Sequence, residues 1–200
     1  MCGLAGFYPS QNASHDASQQ LIQNMVDTLN HRGPDDSGIW VDSNQLIALG
    51  HRRLSILDIS SAGHQPMSLE QGRFVLTYNG EIYNHLKIRA QIEKDKDSIK
   101  WIGNSDTETL LAAFEIWGIE KTLPKLRGMF AIAVWDKKYK KLSLIRDRFG
   151  EKPLYYGWVK SEKKTFFSFG SELKALTCIP DFKNDVSKLA LKEYFKYMYV

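Results

Sequence analysis

The sequence predicts an α+β domain in which helices pack outside stacked antiparallel sheets, and three observations carry that expectation. Helical and extended patterns alternate through the N-terminal half, a dense series of apolar strand-like runs follows Met129, and 43% of the 200 residues are hydrophobic, enough for a well-buried core. The first extended run is Gly3–Tyr8, directly behind Cys2. Asp16–Leu29 then places Leu21, Ile22, Met25, Val26 and Leu29 on one helical face. HRGPDDSG (His31–Gly38) is a polar Gly/Pro loop, followed by strands at Ile39–Val41 and Leu46–Gly50. After the polar stretch SSAGHQPMSLEQG, Arg73–Tyr78 opens a run, FVLTYNGEIY, that predicts a hairpin turning at Asn79-Gly80. Asn84–Glu93 predicts a helix, Ser98–Ile102 a short strand, and Thr107–Trp117 a helix introduced by the capping box Ser105-Asp106-Thr107-Glu108. MFAIAVWD, KLSLIRD, PLYYGWV and TFFSFGS predict an antiparallel meander with charged turns. Ser171–Leu176 begins another helix, Ile179–Asn184 is a linker, and Ser187–Val200 is helical and rich in aromatics: Tyr194, Phe195, Tyr197 and Tyr199.

Charge and cysteine usage narrow the functional classes. The formal net charge is +4, yet the lysines crowd into Asp136–Lys141 and Lys160–Lys164, between strands, as solvated hairpin tips. A basic face organised to bind nucleic acid is not expected. Cys2 and Cys178 are the two cysteines, which gives neither a disulfide framework nor metal-ligand spacing and points to a reducing compartment, the cytoplasm. The terminus MCGLAGFYPS lacks a basic leader pattern, and no run approaches about 20 apolar residues, so neither export nor a membrane span is expected. The uncovered aromatics of the last helix predict a neighbouring domain, with docking on its own domain or on a second copy, as a homodimer, as the alternative.

Five positions carry candidate chemistry. Excision of Met1, which the small side chain of Cys2 allows, would leave a thiol and a free α-amine on one carbon. A thiol of pKa about 8.5 needs a base, and an α-amine of pKa about 7.7 to 8.0 can supply one. Asn79-Gly80 is either an ordinary turn or an oxyanion hole made by the Asn79 amide and the Gly80 N–H. Asp106 either stabilises a helix N-terminus or pairs with a substrate ammonium. Arg53, at the end of a strand pattern, is either a surface residue or a bidentate partner for a carboxylate. Such a cation and anion, suitably placed, would recognise a free amino acid. His31, His51, His64 and His85 are scattered through turns and are expected to be structural or exposed, and Cys178 to be an inert thiol. No G-x-x-x-x-G-K-[ST] phosphate loop occurs, and nucleotide chemistry is not expected within these residues.

Taken in order, MCGLAGF, HRGPDDSG, HRRLSILD, YNGEIYN, SDTETLL, LRGMFAIAVWD, RDRFGEKPLYY and FSFGSELKAL resemble the N-terminal glutaminase domain of glutamine-dependent asparagine synthetases, from Cys2 to about Leu176. The resemblance implies a four-layer α/β/β/α sandwich of the N-terminal-nucleophile (Ntn) hydrolase type, with residues 2–178 as the amidotransferase domain. Residues 179–200 would be a linker and the first helix of an ATP-dependent synthetase domain. It implies that Cys2 attacks the side-chain amide of L-glutamine while Asn79 and Gly80 hold the oxyanion. Arg53 would take the α-carboxylate, Asp106 with Gly80 and Glu81 the ammonium end, and the backbone of Leu54, Ser55, Ile56 and Leu57 would line the pocket. No cofactor or metal is implied for this domain; ATP and Mg²⁺ belong to the synthetase domain, which is the implied partner. A related amidotransferase with another ammonia acceptor and a non-catalytic module of the same fold stand as alternatives.

Overall fold

A computed structural model describes all residues except 10–13, 45, 56–59, 71, 96–98, 161–164 and 200. The elements run β1 (Gly3–Pro9), α1 (His15–Asp27), β2 (Asp36–Val41), β3 (Ala48–Arg53), β4 (Phe74–Ile82), α2 (His85–Asp95), α3 (Asp106–Trp117), α4 (Ile119–Thr122), β5 (Gly128–Asp136), β6 (Lys141–Arg146), β7 (Tyr155–Lys160), β8 (Thr165–Gly170), α5 (Leu173–Leu176) and α6 (Lys188–Tyr197). One sheet has the strand order β2-β3-β1-β8-β7 and the other β4-β5-β6, with every pairing antiparallel.

The period-two alternation of strand side chains builds the layers. In β5, Phe130, Ile132 and Val134 pack outward with Ile88, Ile92, Leu110, Leu111 and Phe114 of α2 and α3. Ala131, Ala133 and Trp135 point the other way, onto Leu4, Leu49 and Phe169 of the larger sheet. MFAIAVWD is apolar almost without interruption because both of its faces are buried. The far face of the larger sheet, with Ala5, Phe7 and Ala48, is covered by Ile22, Met25 and Val26 of α1 and by Ala175 and Leu176 of α5. The result is a four-layer α/β/β/α sandwich, as the sequence implied.

Three local expectations are overturned. Asn79-Gly80 is not a turn, because β4 continues through it to Ile82 in a nine-residue ladder with β5. The backbone N–H groups of Ile102 and Gly103 bond the Glu108 carboxylate at 2.7 and 3.0 Å, so residues 99–102 form no strand, and Ser98 lies outside the described residues. The meander is split: β5 and β6 form one hairpin and β7 and β8 another, in different sheets. Between them Asp147 turns the chain by accepting the N–H groups of Phe130, Phe149, Glu151 and Lys152. Burial alone would raise the Asp147 carboxyl, but these donors hold it below the usual carboxylate range. Elsewhere local signals hold. Ser105 Oγ accepts Glu108 N at 3.2 Å as the cap of α3, and the lysines of the 136–141 segment sit at the β5–β6 tip, while most of the second lysine cluster lies outside the described residues. Helix α6 buries no residue, and Phe195 and Tyr199 are 75% and 70% exposed. Among the described residues, no helix is long and apolar enough to cross a membrane.

Two ionisable groups with strongly lowered pKa values, buried His51 and half-buried Glu172, couple this fold to acid. Burial lowers the His51 pKa to about 4, against an unfolded value near 6.5. Burial would raise Glu172, but hydrogen bonds from Arg32, His31 and Lys174 outweigh it and hold the carboxyl at about 2. In both cases the unfolded chain binds its proton first as pH falls. The His51 contribution is therefore complete above pH 6.5 and lost toward 4, and that of Glu172 is complete above about 4.5 and lost toward 2. Denaturant unfolding is expected to show stability falling from pH 6.5 downward, by on the order of 2 kcal/mol before carboxylates titrate. His51→Gln should abolish that first stage; an unchanged decline would assign it to other groups.

Candidate active site

The nucleophile candidate is placed by the edge of β1. Gly3 pairs with Arg52, so one step further Cys2 stands opposite Arg53. Its sulfur lies against the backbone of Leu54, whose N–H donates to Sγ at 3.3 Å and whose carbonyl accepts the thiol at 3.6 Å. Arg32 Nε donates to the Cys2 carbonyl at 2.9 Å, and its Nη1 is anchored on Glu172 at 3.0 Å. The residue before β1 is thereby held, while Met1 is 59% exposed.

The facing wall comes from β4. Phe130 bonds Asp147 through both its N–H and its carbonyl, on the β6 side. Gly80, opposite Phe130, is therefore in a non-hydrogen-bonded position of the ladder and turns its N–H away from β5. The alternate residues of β4 turn the same way. Phe74 N finds Glu115 Oε1, Leu76 N finds Met67 O, Tyr78 N finds Gln65 Oε1 and Ile82 N finds Asp106 Oδ2. Gly80 is the member of this series whose N–H meets no acceptor among the described residues. Beside it, Asn79 is 2% exposed, and its Nδ2 has no hydrogen-bond partner among the described residues. A Cβ at position 80 would come within 2.3 Å of the Met129 carbonyl, so glycine is required there for close approach to β5 rather than for turning. His51 Nε2 donates to the Tyr78 carbonyl at 2.9 Å and fixes the strand one residue before Asn79.

Cys2, Arg53, Leu54, Asn79, Gly80, Glu81 and Asp106 all line one cavity of about 160 Å³. Arg53 is 8% exposed, with Nη1 on the Ser60 carbonyl at 2.8 Å. A Cβ at Gly63 would come within 2.0 Å of its Nη2, so that glycine makes the space for the guanidinium. Asp106 Oδ2 accepts the Tyr78 hydroxyl at 2.6 Å and Ile82 N at 2.9 Å, which ties the first residue of α3 to β4. Burial, then the adjacent Asp106, push the Tyr78 phenol well above its ordinary range, so it stays a neutral donor. Ser55 is not part of the cavity lining; its N–H bonds Asp35 Oδ2 at 2.8 Å. Ile56 and Leu57 lie outside the described residues.

The family model described as the glutamine amidotransferase domain matches residues 1–200. The chain belongs to this family. The amidotransferase domain is 38% identical over 186 residues to an amidase, chry2, of Gibberella zeae, covering 86% of this chain and 27% of that protein. It is 37% identical over 203 residues to glutamine-hydrolysing asparagine synthetase 3 of Bacillus subtilis, covering 98% of this chain and 30% of the relative. A putative asparagine synthetase of Methanocaldococcus jannaschii is 34% identical over 213 residues, with 98% and 39% covered. The chain thus spans well under half the length of these relatives. Its fold is shared with the glutamine phosphoribosylpyrophosphate amidotransferase of B. subtilis at a TM-score of 0.71 and 19% identity, over 88% of this chain and 43% of the other.

Several cavity-lining residues of the amidotransferase domain carry no signal in the sequence pattern. Gln65 sits in a polar stretch without periodicity, Tyr78 has the pattern of an ordinary core strand residue, and Lys152 falls within a motif that suggested no role. The histidines stay out of the cavity lining: His51 is structural, His64 pairs with Asp36 at 2.8 Å, and His31 pairs with Glu172 at 2.9 Å. Cys178 is a free thiol raised by burial and by Asp27.

Proposed function

We propose that this domain hydrolyses L-glutamine through Cys2 as the glutaminase half of an asparagine-synthetase-type enzyme. The observation that carries the reading is the pair of donors without acceptors among the described residues, Asn79 Nδ2 and Gly80 N–H, from residues that line the same cavity as Cys2. Donors left without acceptors in the resting fold suit an oxygen that becomes anionic only during reaction. In the mature chain the α-amine of Cys2 takes the thiol proton, and the sulfur attacks the glutamine side-chain carbonyl. Collapse of the tetrahedral adduct breaks the C–N bond, the amine returns the proton to the leaving nitrogen, and ammonia departs from a γ-glutamyl thioester. Water, deprotonated by the same amine, then cleaves the thioester to glutamate and the free thiol. Arg53 on one wall and Asp106 on another supply the opposite charges that a zwitterionic amino acid needs, with Leu54 and Glu81 completing the binding surface.

The share of relatives' length covered and the exposed aromatic face of α6 support a C-terminal, ATP- and Mg²⁺-dependent synthetase domain as the partner that consumes the ammonia, and the two free cysteines support a cytoplasmic location. Residues 2–178 would be the amidotransferase domain and 179–200 the lead into that partner. The amidase relative favours a second reading, in which the same glutaminase serves a different ammonia acceptor. Intact mass before and after treatment with 6-diazo-5-oxo-L-norleucine, a glutamine-like alkylating agent, tests the shared part. Loss of Met1 and a single adduct, absent in Cys2→Ala, is expected. A Met1-free protein that takes no adduct would replace the glutaminase with a non-catalytic module.

A further inference from the structure

Lys152 is the charged residue of the cavity that glutamine chemistry leaves unused. It is 6% exposed, and its backbone is fixed in the crossover loop, with N–H on Asp147 Oδ2 at 2.9 Å and carbonyl on Arg146 Nε at 2.7 Å. No carboxylate among the described residues lies within ion-pair distance of its Nζ. The recorded hydrogen-bond partner of that ammonium is the Met1 sulfur, at 3.5 Å. Excision of Met1 removes that partner and creates, a few bonds away, the α-amine of Cys2.

We infer that Lys152 is a positioning residue whose fixed positive charge keeps the mature α-amine of Cys2 in its neutral, basic form. The inference rests on the glutaminase reading for its purpose but not for its physics. The Met1 sulfur is separated from the Cys2 nitrogen by a short covalent path, so Nζ stands within about 10 Å of the amine. Two like charges at that range in a partly buried cavity disfavour double protonation by roughly one pKa unit. The other charges around the amine are Arg32, bonded to the Cys2 carbonyl and paired with Glu172, Arg53 from β3, Glu81 from β4 and Asp106 from α3. Glu172 offsets Arg32, so Arg53 and Lys152 are the cations that oppose Glu81 and Asp106, and without Lys152 the carboxylates would favour the protonated amine. An amine otherwise half protonated near neutral pH is thereby free to accept the thiol proton.

The test uses the mature chain labelled with ¹³C-cysteine, in which only Cys2 and Cys178 report. The Cα signal of Cys2 is followed against pH for the amine and its Cβ for the thiol. An amine midpoint below the free value of about 7.7 is expected, rising by roughly one unit in Lys152→Met and Lys152→Gln and staying with the parent in Lys152→Arg. The acid limb of kcat/KM should move with it, giving about a tenfold loss near pH 6.5 and little loss above pH 9 in the neutral variants. A parent midpoint of 8 or higher, or an arginine variant that shifts as far as the methionine variant, would overturn the assignment; the first of these needs no variant to fold. The titration reports the amine whether or not glutamine turns over, so a lowered midpoint in a protein that takes no alkylating adduct would remove the glutaminase reading alone.

Discussion

Replacing Cys2 by alanine is expected to lower glutamate release from glutamine by at least about 10⁴-fold while leaving the melting temperature within a few degrees of the parent. The activity loss is large because an amide is a poor electrophile, and binding with oxyanion stabilisation alone leaves only residual catalysis once the nucleophile is gone. The stability change is small because the hydrogen bonds of the thiol among the described residues are to the Leu54 backbone, and Cys2 precedes the first strand rather than filling a core position. A protein with a blocked terminus, its Cys2 side chain intact behind retained Met1, should be as inactive as the alanine variant, since the amine is then an amide without basicity. Substantial turnover with a blocked terminus would move the general base to another group of the cavity.

Asn79→Ala is expected to reduce kcat by about 10²- to 10³-fold, the usual consequence of removing one oxyanion donor. Its effect on stability should run the other way. Asn79 Nδ2 is buried and has no partner among the described residues, so truncation removes an unsatisfied donor instead of orphaning a partner, and the unfolding free energy should be unchanged or slightly raised. Paired measurements of glutaminase kcat and denaturant unfolding separate the roles. A variant that unfolds more easily and keeps its kcat would make Asn79 a structural residue of β4.

Where the determinants were local, the sequence revealed them. The Ser105 half of the expected capping box on α3 forms, with Ser105 Oγ accepting Glu108 N, while the Glu108 carboxylate bonds the N–H groups of Ile102 and Gly103 in place of that of Ser105. The two-sided burial of β5 was visible in an unbroken apolar run. The Asn79-Gly80 pair misled for the same reason: its local turn preference is outvoted by a ladder with β5 some fifty residues later, and the glycine serves close packing on Met129. The split of the β5–β8 strands was hidden because Asp147 must bond four separate N–H groups to turn the chain, which no pairwise pattern encodes. At the site, Cys2, Arg53, Asn79 and Asp106 were singled out on chemistry and motif, and the fold brings them to one cavity. Gln65 and Lys152 were missed because their places are set by contacts with β4 and with the chain terminus, distant in sequence.

The place of β1 in its sheet also bears on when the protein can first act. β1 is the earliest strand to be synthesised, yet it pairs with β8 in the register Ala5 to Gly170, and Ser171 bonds Leu4 through both its N–H and its hydroxyl. The strand that directly follows Cys2 is therefore completed by residues made about 165 positions later. At ribosomal speeds of about 5–20 residues per second that is a delay of roughly 10 to 30 s. Throughout it the terminus is unenclosed and open to the aminopeptidase that removes Met1, and a nascent chain shorter than this register has no assembled cavity in which to consume glutamine.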